Sequence, residues 1–423
     1  MKPILLAVTG MSPAVITETL WALRQAGKVW PEEIHVITTA MGKKTLMQSL
    51  PDALASLVQE WKTPPLPLRE EFIHVVPGEN GRPVDDARSR EDQEALGDFI
   101  IAKVAELTSD PKTCIHASIA GGRKTMTFYL GYAMSLFGRI QDELSHVLVS
   151  DPRVEGLPDF FYPSFNSRRL TSRGASEPDM DAKDITIMLA DIPFARQRSI
   201  LPEATLELMK NGQLRFRELI NLINLGMDSS RIRLRFSTPT CSLEVGDVLG
   251  NLHQKVDFPP LLFSFYHMVA ESTLGEGIEI CRPGKNLPDK GMAKILLGNL
   301  LHLYGTLGLP VPLENGALSI AERIGLIKSL ATGNVDDDLV QRLGLHDKFF
   351  SNLDKLEEGI TPSLFDGYRN QIAERLKRSL PANLVSVIEP VQMFDEHGER
   401  VEVRSKRAVA YGINLALGQI RVE

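Results

Sequence analysis

Cysteine is scarce. Cys114, Cys241 and Cys281 are the only three; they are far apart, odd in number and without C-x-x-C spacing, which excludes a disulfide framework and a thiolate zinc site. They read as small core residues. Long apolar runs are also missing. The opening stretch MKPILLAVTG is too short to span a bilayer, and a helical pattern without a small-residue cleavage site follows it, so a cytoplasmic protein with no membrane partner is expected. Nor is there an excess of positive charge: 47 Lys and Arg against 54 Asp and Glu give a formal net charge of −7. That argues against coating nucleic acid through a global field and leaves only a local basic groove. The first apolar run is not followed by G-x-G-x-x-G, which disfavours an ordinary dinucleotide enzyme. No cluster has metal-ligand spacing, so neither metal nor cofactor is expected.

What is present suits a globular chain of two or three domains: 423 residues, 43% hydrophobic and 24% charged, enough for a sizeable core. The first part alternates strand and helix patterns. Short apolar runs at Ile4–Val8, Ile34–Thr38, Phe72–Val76, Ile115–Ile119 and His146–Val149 read as buried strands. Helical spacing covers Pro13–Leu23, Glu91–Leu107 and Met126–Phe137. The predicted class is α/β, a Rossmann-like, mostly parallel sheet whose ligands bind beyond the carboxyl ends of the strands. From Pro158 to Asp184 periodicity gives way to Pro, Ser, Arg and Asp, marking a linker.

The most informative stretch runs from Cys114 to Met126. It ends a strand, turns on Gly121 and Gly122, and opens a helix with Arg123, Lys124 and Thr125. Backbone N–H groups and the positive end of the helix dipole then meet two cations, which is an anion site. A Walker-type loop fails here, because its two required glycine positions hold Arg123 and Ser118. The alternative is a Gly-Gly pair that simply ends a strand, with the cations facing water. Two further turns fall at strand ends. Thr9-Gly10-Met11-Ser12-Pro13 follows the first strand, and the stretch from Thr38 and Thr39 to Lys43 and Lys44 follows the second. Helix capping ahead of Pro13 competes with a ligand role for Thr9 and Ser12.

With these turns and the Pro83-Val-Asp-Asp86 segment before an acidic helix, residues 1–180 resemble a CARF domain, the Rossmann-like cyclic oligoadenylate sensor of type III CRISPR defence. The likeness is to the ring nuclease branch related to the Csm-type CARF ribonucleases. It implies a homodimer whose two CARF domains share a two-fold pocket for cyclic tetra- or hexa-adenylate, since a symmetric ring suits an isologous dimer. It also implies cleavage without metal. A ribose 2′-OH would attack the adjacent phosphorus and leave a 2′,3′-cyclic phosphate, with positioning and charge stabilisation as the catalysis. Lys124 is the candidate for stabilising charge, Ser12 for orienting the phosphate or the 2′-OH, and Arg123 for a neighbouring phosphate. Thr9, Gly10, Thr39, Gly121, Gly122 and Thr125 are candidate ligand contacts. Each charge-assisted hydrogen bond would add about 1.5–3 kcal/mol. A non-enzymatic sensor, or an effector with an unrecognised active site in the second half, remain the rival readings.

Residues 190–423 read as a mainly helical domain. Leu214–Leu225, Pro260–Ala270 and Tyr368–Leu380 have helical spacing, and Ile232–Phe236 alternates like a strand. The run Leu384–Met393, a turn at Asp395–Gly398 and the strand Val401–Ala408 complete a helix-and-hairpin pattern of winged helix-turn-helix character, interrupted by a helical insertion at about 272–359. The arginine–histidine pair of a HEPN ribonuclease, four to six residues apart on one helix, has no convincing copy. Arg342-Leu-Gly-Leu-His346 has a gap of three and a glycine. Arg369, Arg375, Lys377 and Arg378 form a possible nucleic-acid contact, diluted by Asp366 and Glu374. His35, His74 and His116 read as satisfied strand histidines, and Asp85 and Asp86 as a cap, with a cation or an adenine amino group as the alternative.

Overall fold

The computed structural model describes residues 1–78, 81–157, 159–171, 180–202, 204–210, 213–276, 279–311, 317–332, 347–395, 397–403 and 408–423. The Arg342–His346 segment lies outside the described residues, as do parts of the 158–184 linker, the 272–359 insertion and the Val401–Ala408 strand. The chain divides into two compact units, one of Met1–Leu201 with Leu206–Arg217, the other of Pro202–Thr205 with Glu218–Glu423.

The first unit is built on the elements β1 (Lys2–Val8), α1 (Ala14–Gln25), β2 (Glu33–Thr38), α2 (Ala40–Trp61), β3 (Ile73–Val75), α3 (Arg90–Leu107), β4 (Thr113–Ser118), α4 (Lys124–Phe137) and β5 (Glu143–Val149). A small strand pair, β6 (Arg169–Leu170) and β7 (Met180–Asp181), precedes β8 (Ile187–Asp191). The sheet order is β3-β2-β1-β4-β5-β8. All neighbours run parallel except β8, which pairs antiparallel with β5. The sheet therefore extends past residue 180, because Ile187–Asp191 closes the β5 edge. Strand order reverses between β1 and β4. Right-handed crossovers then put α1 and α2 on one face and α3 and α4 on the other. Leu5, Ala7, Ile34 and Val36 pack with Ile16, Leu20, Leu46 and Leu50 in one core. Ile4, Leu6 and Val8, pointing the other way, are equally buried, so the strands are unbroken apolar runs, as a covered parallel sheet requires.

Helices α5 (Thr205–Lys210) and α6 (Phe216–Leu225) follow in the chain. The second unit is largely helical, with α7 (Pro260–Thr273), α8 (Lys290–Thr306), α9 (Ile320–Thr332), α10 (Asp347–Asp354), α11 (Pro362–Ser379) and α12 (Ala382–Ile388). It also holds a four-stranded sheet. β9 (Ile232–Ser237), β10 (Ser242–Asp247) and β11 (Leu252–Asp257) form an antiparallel meander, and the final strand Ile420–Val422 runs parallel to β9. Sequence periodicity reveals only β9, because β11 buries a single residue, Val256, and so carries no alternation. The hairpin turn is present: Gly398 N–H donates to the Asp395 carbonyl and Val401 N–H to that of Met393. Its strands are two residues long: β12 (Val391–Gln392), β13 (Glu402–Val403), β14 (Ala408–Val409) and β15 (Tyr411–Gly412). Among the described residues no helix is long and apolar enough to cross a membrane.

Candidate functional site

Three strand-to-helix turns converge at the β1/β4 reversal, and glycines make the approach possible. A Cβ on Gly121 would stand 3.0 Å from the Val8 carbonyl oxygen and 2.8 Å from Val15 Cγ2; one on Gly10 would meet Gly122 Cα at 3.8 Å. A Cβ on Gly42, in the first turn of α2, would collide with Thr38 Oγ1 and lie 2.8 Å from the Gly10 carbonyl oxygen. Gly122 has φ +87°, a conformation that costs an L residue about 1–2 kcal/mol. The turns after β1, β2 and β4 thus touch through backbone, with no side chain between them.

At the start of α4, Arg123 is the extended N-cap residue, and no side chain caps the helix. Lys124 and Thr125 occupy the first two helical positions, both exposed. The uncapped N–H groups and the dipole favour an anion there. Arg123 is not a free cation: its Nε donates to Asp86 Oδ1 at 2.6 Å, and Nη2 pairs with the same oxygen. Arg88 Nε donates to Asp86 Oδ2 at 2.7 Å. Arg123 first, then Arg88, hold the Asp86 carboxyl below its ordinary range. Asp86 therefore ties the loop before α3 to the α4 turn. It is not a cap, because Ser89 caps α3 by accepting from Asp92 N–H at 2.9 Å.

The hydroxyl candidates separate. Ser12 is half-buried in the first turn with no side-chain cap on α1, whose N-cap residue is Pro13. Thr9 is fully buried and donates to the Ser12 carbonyl at 2.8 Å, pinning the loop without capping. Thr39 is buried and accepts from Gly42 N–H at 3.2 Å, so it caps α2. Thr125 is exposed. Lys43 pairs with Glu70 at 2.7 Å, leaving Lys44 exposed nearby. Thr38 Oγ1, buried at the end of β2, has no hydrogen-bond partner among the described residues; threonine at a strand end carries no sequence signal for this. Exposed apolar side chains accompany these turns, with Met11 58% and Met41 50% accessible, and Phe128, one turn into α4, 65% accessible.

Sequence reasoning also missed Glu18, a carboxyl buried on α1 and pushed up to about 7, mainly by burial and secondarily by Glu155. His35, His74 and His116 have partners. His35 Nδ1 lies 3.0 Å from His74 Nε2, and His116 bridges Ser145 at 2.7 Å and Glu143 at 3.2 Å. In the second unit three of the basic residues of α11 are engaged. Arg369 Nε donates to the Pro390 carbonyl, its guanidinium lying 4.8 Å from the Tyr411 ring centroid, Arg375 donates to the Asp257 carbonyl, and Lys377 pairs with Glu374. No group of three metal-ligating side chains occurs among the described residues.

The geometry defines a Rossmann-like α/β unit with an anion-favouring crevice at its topological switch point. Residues 12–221 match the model of the family described as CRISPR-associated protein NE0113, and that stretch is similar to the CRISPR-associated proteins it describes. No curated protein matches the chain.

Proposed function

We propose that the chain is a CARF-type protein that binds cyclic oligoadenylate as a homodimer, each copy offering the β1/β4 crevice, and opens the ring without metal. The observation that carries this reading is the convergence of three glycine-bearing turns on the uncapped N-terminus of α4, with Lys124 exposed at its first position. The CRISPR-associated family match over residues 12–221 supports it. In the reaction a ribose 2′-oxygen bonds to the adjacent phosphorus and the P–O5′ bond breaks. The 2′-OH proton is lost and the departing 5′-oxygen gains one, giving a linear product with a 2′,3′-cyclic phosphate and a 5′-hydroxyl. Lys124 and the α4 amides stabilise charge on the phosphoryl oxygens, Ser12 orients the phosphate or the 2′-OH, and Arg123 takes a neighbouring phosphate by exchanging Asp86 for it.

A binding-only sensor is the second reading. It is favoured because none of the three turns holds a histidine to act as base and because Arg123 is already paired. Incubation of the purified protein with cyclic tri-, tetra- and hexa-adenylate in EDTA, with products resolved by chromatography, separates the two. Products ending in 2′,3′-cyclic phosphate support the enzyme. Tight binding without cleavage supports the sensor, and absence of binding to every ring removes both.

A further inference from the structure

The second unit has a cavity of its own, about 190 Å³, lined from α7 and α8 together with Thr238, Val422 and Glu423. On α7, Ser264, His267 and Glu271 follow one another at spacings of three and four and so share a face. Asn299 and His302 face them from α8, and Phe263 contributes an aromatic wall. Ser264 is 2% exposed, and its Oγ has no hydrogen-bond partner among the described residues. An unpaired buried hydroxyl is unfavourable in the empty protein, and it becomes favourable once a ligand supplies the missing bond.

Of the two glutamates in the lining, Glu423 pairs with Arg235 and Arg421, which leaves Glu271 to set the charge of the site. Its Oε2 accepts from Asn299 Nδ2 at 3.1 Å and faces His267 Nδ1 at 3.5 Å, an ion-pair distance that is long for a hydrogen bond. Both contacts fall on one oxygen, which leaves Oε1 for a donor from the cavity. Burial pushes this carboxyl up, but His267, then Asn299 and His302, outweigh burial and hold it below its ordinary range. It is therefore an acceptor at neutral pH. The volume limits the ligand: a cavity of about 150 Å³ holds benzene, so this one takes one ring with a substituent and is too small for a nucleotide.

We propose that this cavity is a small-molecule site for a planar ligand of about one ring that carries N–H donors. One N–H goes to Glu271 Oε1, a separate polar group of the ligand reaches Ser264 Oγ, seven residues or about 10 Å away along α7, and the ring lies against Phe263. An aminated nucleobase and an amidinium or guanidinium compound share this chemistry, one neutral and one cationic.

Calorimetric titration of the full-length protein with adenine and with benzamidine tests the site and separates the two sources. At least one probe is expected to bind once per chain, adenine marking a neutral base and benzamidine a cation. Glu271→Gln is expected to weaken that probe about tenfold, the loss of one charge-assisted bond. Ser264→Ala is expected to weaken it severalfold while melting at or above the parent temperature, because the variant removes an unpaired buried hydroxyl. Failure of both probes, binding that survives both substitutions, or a Ser264→Ala protein that melts lower overturns the assignment.

Discussion

Replacing Gly121 by alanine tests whether the three turns are held by backbone contact. The new methyl would stand 3.0 Å from the Val8 carbonyl oxygen and 2.8 Å from Val15 Cγ2. Val15 can give a little by rotating. Val8 O cannot, since it belongs to β1, which is fixed between β2 and β4. Overpacking of this kind costs about 1–3 kcal/mol, and each kcal/mol lowers the melting temperature of a unit this size by about 2–4 °C. Gly131 is the internal control. It lies inside α4, where an added Cβ meets only Leu144 Cδ2 at an ordinary 3.9 Å, and alanine there stabilises by about 0.5–1 kcal/mol. Two Gly→Ala changes ten positions apart should therefore move melting in opposite directions. Gly121→Ala should also weaken binding of cyclic oligoadenylate, because the α4 amides are displaced from the first turn. Calorimetric melting with ring titration on both variants measures this. A Gly121→Ala protein that melts and binds like the parent would refute the reasoning.

Other substitutions address the charges. Lys124→Ala should weaken ring binding by about tenfold or more with unchanged melting, the loss of one charge-assisted contact; unchanged affinity removes Lys124 from the site. Asp86→Asn releases Arg123 and should raise anion affinity with a steeper salt dependence, whereas equal or lower affinity means that Arg123 works only when positioned by Asp86. Glu18 gives a pH test. Its folded pKa of about 7 lies above the ordinary 4.5, so the folded chain keeps a proton that the unfolded chain releases between those values, and stability falls as pH rises from 4.5 through 7. Glu18→Gln removes that loss of up to about 3 kcal/mol. The variant should melt higher above pH 7, with the gap closing towards pH 4.5, and parallel melting curves at all pH values would contradict the assignment.

The turns were legible in the sequence because their signals are contiguous. Gly10, Pro13, Gly121 and Gly122 punctuate apolar runs, and a parallel sheet places every such turn at the same edge. The electrostatic wiring was not legible. Asp86 reaches Arg123 across 37 positions, and nothing in either local segment names the partner. Thr39 shows a local contact that the sequence pattern does not announce: its hydroxyl, at a strand end, accepts from the N–H of Gly42 three residues on and caps α2. β11 was lost because a strand at a sheet edge that buries one residue in six does not alternate.

The two candidate sites differ in why one could be read and the other could not. At the β1/β4 reversal the functional groups are backbone amides and one terminal lysine, so glycine, which permits the backbone approach, is itself the signal. In the second unit the groups are side chains at spacings of three and four on α7, interleaved with Phe263, Phe265 and Tyr266, all buried. That spacing is also the spacing of an ordinary core face. Only the packing of α8, which brings Asn299 to Glu271 and leaves Ser264 without a partner among the described residues, separates a polar cavity from a satisfied helix. A sequence pattern fixes which residues share a face; whether that face meets a hydrogen-bond partner or an empty volume is decided by the neighbouring helix, and there the chemistry of the second unit resides.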